Sequence, residues 1–270
     1  MAEKQSTSPV TAASLQRMKS AGEKIACLTC YDASFTRVLE AAGVDMFIIG
    51  DSLGMVLKGH ETTVPVTMAD MLYHAANVAR VGRHALRVVD MPYMSYANPD
   101  QALGNAARLV AEGGADMVKL EGGQDKADIV RHLVGHDIPV CGHIGLLPQS
   151  IEEQGGYHVQ GRDEDGAREL LADAQALEAA GATLLVMECI PAELAALITS
   201  SVNMPTIGIG AGPDCDGQVL VLYDMLGITP GKVPKFVRNF LQDTDSVPSA
   251  VKAYVDAVKD GSFPAPEHCI

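Results

Sequence analysis

No block of lysines or arginines occurs in this chain, whose 20 Lys and Arg are outnumbered by 34 Asp and Glu for a formal charge of −14. That balance argues against long-range attraction to nucleic acid or to an anionic membrane. Small anions stay open, because a local lysine or metal ion reverses the sign inside a cleft. The start, MAEKQSTSPVT, has no apolar secretory core. Nor does any stretch reach the ~18 uninterrupted apolar residues of a membrane span. A soluble, cytoplasmic protein is the expectation. Six cysteines (Cys27, Cys30, Cys141, Cys189, Cys215 and Cys269) are scattered along the sequence, and read as reduced, mostly buried residues. Cys27 and Cys30 have C-x-x-C spacing, but no second ligand pair accompanies them. They also lie in a strand-like run, where positions three apart point to opposite faces.

What is present is apolar and regularly patterned. The 270 residues are 47% hydrophobic with a mean hydropathy of +0.12, enough for a large core. Short β-rich runs alternate with helical patterns: Ile25–Cys30, Met46–Gly50, Leu86–Asp90, Met117–Glu121, Val140–His143, Leu184–Glu188, Thr206–Gly210 and Val219–Tyr223 read as strands. The last of these could equally be helical. Ala33–Ala42, Pro99–Glu112, Ala127–Val134, Asp165–Ala180 and Ala192–Ser201 carry apolar residues three and four apart. Strings such as AAGVD and AAGAT suit a left-handed C-cap before the next strand. Eight βα units in a chain of this length predict an α/β fold, a (β/α)8 TIM barrel with extra terminal helices. A helix over Thr11–Ser20 would close the barrel bottom. Helices over Phe236–Leu241 and Val247–Val258 would form a C-terminal appendage, from about residue 236, to a single 1–270 domain.

Charged residues interrupt the apolar strands at their C-terminal ends. Asp51 and Ser52 follow MFIIG, Asp90 ends LRVV, Lys119 and Glu121 lie in MVKLEGG, His143 in VCGHIG and Glu188 in LLVMEC. In a barrel these ends converge on one mouth. Taken singly, an Asp after a strand is more often a cap or turn residue, and a lone His more often a satisfied buried one. Together, a buried lysine and several carboxylates are costly unless they are paired or bind a cation. Carboxylates without a cysteine or histidine pair make a hard oxygen site suited to Mg²⁺. Such an ion polarises a carbonyl oxygen and stabilises an enolate, so proton abstraction beside a carbonyl is the expected chemistry.

Two glycine-bearing segments remain. GIGAG, Gly208–Gly212, reads either as a backbone phosphate site after the seventh strand or as a tight turn allowing close approach. It is not a G-x-G-x-x-G dinucleotide fingerprint. Glu152–Arg162, EEQGGYHVQGR, reads as a surface loop or a lid.

The strings TCYDASF, GDSLGMVLKGHETTVPVT, DMPYMSY, VKLEGG, PVCGHIGLLPQS, GGYHVQGR and IGIGAGPDCDGQVLV, in this order, strongly resemble the ketopantoate hydroxymethyltransferase family. The likeness runs from about Lys24 to PKFVRNF. It implies the barrel, a Mg²⁺ ion, a homodecamer, and hydroxymethyl transfer from 5,10-methylenetetrahydrofolate to 3-methyl-2-oxobutanoate on the way to pantothenate. It also implies Asp51, Asp90 and Glu121 as metal ligands, Asp51, Ser52, Asp90 and Lys119 as substrate contacts, Glu188 as base and His143 as a further active-site residue. His158 departs from the family, which usually carries Lys or Arg there, and this puts a permanent positive charge in that loop in doubt. The runner-up reading is a lyase or mutase of the phosphoenolpyruvate mutase type, with GIGAG holding a phosphoryl group. A binding barrel with a purely structural metal is a third, but it has no need of Ser52, Lys119 and a separate Glu188.

Overall fold

The computed structural model describes residues 8–231 and 233–270, so the first seven residues of the expected 1–270 domain lie outside the described part. Eight parallel strands, β1 (Ile25–Thr29), β2 (Met46–Ile49), β3 (Leu86–Asp90), β4 (Met117–Glu121), β5 (Val140–Gly145), β6 (Leu184–Glu188), β7 (Thr206–Ile209) and β8 (Gly217–Leu220), close in sequence order into a (β/α)8 TIM barrel. β1 completes the circle by pairing with β8 as well as β2. Helices Ala33–Ala42, Ala127–Val134 and Ala192–Ser201 have the expected bounds, and the other expected crossover helices run Pro99–Ala111 and Glu164–Ala180. Leu53–Val56 and Met68–Val81 add two helices between β2 and β3. Gly43 and Gly181 cap their helices in the left-handed conformation that the Ala-Gly punctuation predicts.

Alternation along the strands divides the apolar side chains between two cores. Cys27, Met46, Ile48, Val88, Met117, Cys141, Val186 and Val219 fill the barrel interior, whereas Leu28, Phe47, Val89, Val118 and Leu185 pack outward beneath the helices. Cys27 and Cys30 fall into different cores, as opposite-facing positions must. The helix Ala12–Ala21 starts from an N-cap at Thr11 and sends Leu15 into the interior core, so it plugs the N-terminal end of the barrel.

Two expectations need correcting. The eighth strand is Gly217–Leu220, and Leu222–Met225 is a helical turn. A Cβ on Gly217 would lie 2.4 Å from Ile25 O, so only glycine lets β8 approach β1 closely enough to close the barrel. Phe236–Leu241 is not a helix. Phe236 and Phe240 are buried, but Phe240 N–H donates to Met225 O, and Asn239 Oδ1 takes the N–H groups of Leu241 and Gln242. Those bonds hold an irregular turn in which the apolar spacing seats two anchors without helical backbone. The expected helix over Val247–Val258 forms, as Val247–Lys259, and packs on Ala33–Ala42 and β1.

Candidate active site

Parallel register places the charged residues on neighbouring strands at one level: Asp90 pairs with Lys119, Glu121 with His143, and Gly145 with Glu188. Asp51, Asp90, Lys119, Glu121 and His143 are each no more than 4% exposed. Ser52 and Glu188 are partly exposed at the rim. All seven residues expected from the sequence therefore meet at the C-terminal mouth.

Lys119 Nζ lies 3.1 Å from Asp90 Oδ1 and 3.2 Å from His143 Nδ1. Asp90 Oδ2 accepts the Asp51 N–H at 3.1 Å, whereas its Oδ1 is buried without an aligned hydrogen bond. The His143 ring stands between two carboxylates, Nδ1 3.4 Å from Glu121 Oε1 and Nε2 3.3 Å from Glu188 Oε2. Nε2 is also buried without an aligned partner. Ser52 Oγ and Tyr31 Oη are 2.9 Å apart.

This arrangement divides the proton affinities. Burial, followed by the charges of Asp90 and Glu121, pushes Asp51 well above the usual carboxylate range. Burial also raises Asp90, although Lys119 opposes it. For Glu121 burial is outweighed by His143, Lys119 and the Gln149 N–H, and its carboxyl is held low. Burial and Lys119 both lower His143, but Glu121 and Glu188 outweigh them and raise it. Lys119 stays charged despite burial because Asp90, Glu121 and Asp51 surround it.

Three fully buried carboxylates thus face one permanent cation, and their donor atoms are all oxygen. Three mutually repelling buried carboxylates, with Lys119 only 3.1 Å from Asp90 Oδ1, leave an excess of negative charge that fits a hard divalent cation. Among the described residues, no three His, Cys, Asp or Glu groups converge tightly enough to enclose an ion. A closed protein cage is not required, since Mg²⁺ usually keeps several waters and is held by one or two carboxylates.

Charge alone did not mark everything here. Gln149, Tyr31 and Tyr96 join the network at the mouth, yet uncharged residues in loops give no interruption of an apolar pattern to detect. The GIGAG glycines are used in packing: a Cβ on Gly208 would strike Cys215, one on Gly210 would strike Phe236, and one on Gly212 would strike Ala192. This is the close-approach reading of the segment. His158 Nε2 lies 2.9 Å from Gly155 O, so the ring bonds to its own loop.

The fold and site define a (β/α)8 barrel enzyme with an acidic strand-end centre built around one buried lysine. The sequence pattern of ketopantoate hydroxymethyltransferase matches residues 9–266. The chain is 58% identical over 255 residues to 3-methyl-2-oxobutanoate hydroxymethyltransferase of Nitrosococcus oceani, covering 94% of this chain and 97% of the relative. It is also 58% identical to the enzyme of that name from Thiobacillus denitrificans, covering 96% and 99%. The chain belongs to the ketopantoate hydroxymethyltransferase family and is a transferase. Among solved structures it is similar in fold to 2,3-dimethylmalate lyase, a PEP mutase/isocitrate lyase superfamily member, with a TM-score of 0.59, 18% identity and coverage of 80% and 82%. A putative phosphonomutase from Burkholderia cenocepacia J2315 gives a TM-score of 0.62 at 18% identity, covering 80% and 95%.

Proposed function

We propose that this chain transfers a hydroxymethyl unit from 5,10-methylenetetrahydrofolate to 3-methyl-2-oxobutanoate, giving ketopantoate for pantothenate synthesis. The observation that carries the reading is the buried trio Asp51, Asp90 and Glu121 facing a single lysine. Mg²⁺ held by that trio would polarise the keto oxygen of the acid and stabilise the negative charge left when its C3 proton departs. Lys119, between Asp90 and His143, offsets the remaining charge of the bound acid. Ser52, held by Tyr31, supplies a hydroxyl to the substrate. Glu188 takes the C3 proton, and His143 at 3.3 Å from Oε2 orients that carboxylate. Water adds to the methylene carbon as its two bonds to folate nitrogens break, releasing tetrahydrofolate, and the C3 carbon bonds to the resulting formaldehyde-level carbon, whose oxygen takes a proton to become the hydroxyl. The loop Glu152–Arg162, whose Tyr157 Oη donates to Met55 Sδ at 3.7 Å, serves as a lid that keeps bulk water from the reacting carbon. The family resemblance adds a cytoplasmic homodecamer to the proposal. Purified protein given both substrates and Mg²⁺ should form ketopantoate. Absence of product with Mg²⁺ and with Mn²⁺ would overturn the reading.

A further inference from the structure

Gln149 lies on the turn Pro148–Ser150 beyond β5 and is 5% exposed. Every polar atom of its side chain is committed. Nε2 donates one hydrogen to Asp51 Oδ2 at 2.7 Å and the other to Met91 O at 3.0 Å. Oε1 accepts from Tyr96 Oη at 2.5 Å. Its backbone N–H donates to Glu121 Oε2 at 3.0 Å, and the Glu121 N–H in turn donates to Tyr96 Oη at 3.3 Å.

The orientation of the amide follows from its partners. A carboxylate and a carbonyl only accept, so the nitrogen must face Asp51 and Met91. The phenol hydrogen of Tyr96 then has Oε1 as its acceptor. One uncharged residue thereby engages one oxygen on each of two acidic side chains that enter the mouth from different strands. Asp51 Oδ2 and Glu121 Oε2 are occupied, which turns the other oxygen of each group away from Gln149. Lys119 could compensate charge from many positions, but a fixed pair of oxygens needs donors in fixed places, and carboxylates left to repel one another would rotate.

We propose that Gln149 is a positioning residue, oriented by Tyr96, which holds Asp51 and Glu121 in the orientation that receives a divalent cation. The inference rests on the metal reading given under the proposed function. The amide itself does not touch the ion, and its effect passes through the two carboxylates.

The test is Mn²⁺ binding without either substrate, followed by the electron paramagnetic resonance of free Mn²⁺. Near-ultraviolet circular dichroism on the same samples reports the fold. Gln149→Met keeps the length but removes both amide donors, and Mn²⁺ should bind roughly tenfold more weakly, with the dichroism unchanged. Tyr96→Phe removes the hydroxyl that fixes the amide and accepts the Glu121 N–H but leaves both amide donors in place, and its loss should be smaller. Should wild-type protein fail to bind Mn²⁺, the metal reading falls. Should wild-type protein and both variants bind equally, the metal reading stands and the positioning role falls. Weakened binding that always accompanies altered dichroism, in Tyr96→Phe as in Gln149→Met, would make Gln149 a scaffold brace and overturn the proposal.

Discussion

Asp51, Asp90 and Glu121 share one mouth but do not hold protons alike, and the difference has measurable signs. Asp51 is raised by burial, Asp90 and Glu121, so in metal-free protein it takes up a proton above the ~3.9 of an unperturbed aspartate. The folded state then binds more protons than the unfolded state, and metal-free stability rises as pH falls through that window. Glu121 is held low, so its contribution is present above the unfolded value and is lost as pH falls through its folded pKa. Metal competes with the proton on Asp51, so affinity should weaken on acidification before an ordinary carboxylate titrates. Mn²⁺ titrations across pH check this, and a flat profile would count against Asp51 as a ligand. Asp90→Asn and Glu121→Gln should each weaken Mn²⁺ binding about tenfold or more, since losing a ligand costs at least as much as losing a residue that supports one. Normal affinity in either variant removes that residue from the ligand set. Glu188→Gln should retain metal and 2-oxo acid binding yet slow exchange of the C3 proton with D2O, without folate, by about 100-fold or more. Exchange that survives there and vanishes in His143→Gln would transfer the base role to His143.

At the scale of elements, the segment after β5 shows how a loop is tied to a site. Gln154 accepts from Leu147 N–H and donates to Gly145 O, and Gln160 N–H donates to Cys189 O. The loop Glu152–Arg162 is therefore pinned near both ends, beside β5 and β6, while Tyr157 between them is 59% exposed. Closure over bound acid should slow amide exchange in Glu152–Arg162 when 3-methyl-2-oxobutanoate and Mg²⁺ are added. Exchange that is indifferent to both would leave a surface loop and no lid.

Across the whole molecule, the helix Val247–Lys259 is joined to the barrel where the circle closes: the single Tyr254 hydroxyl hydrogen is shared between Cys27 O on β1 and Gln218 O on β8, 2.8 and 2.9 Å from Oη. An appendage joined at the closure should melt with the barrel, in one transition. Tyr254→Phe should lower the midpoint by roughly 2–4 °C, for about 1 kcal/mol of lost hydrogen bonding. A separate early transition would show the helix to be an independent unit. The barrel and the seven mouth residues were legible in the sequence because both are periodic. Strand and helix periods alternate along the chain, and a charge at a strand end interrupts an apolar run within a few residues. The bounds of the eighth strand were not legible, since only contact with Ile25 across the closing seam makes Gly217 the start of β8. Phe236 and Phe240 misled because apolar spacing records burial and says nothing of where Phe240 N–H will bond. Sequence by itself determined which residues are apolar, charged and phased, and hence the barrel and its acidic mouth. Tertiary structure alone decided that Gln149, Tyr96 and Tyr31 join that mouth, because a neutral side chain acquires a role only from partners that folding brings within hydrogen-bond reach.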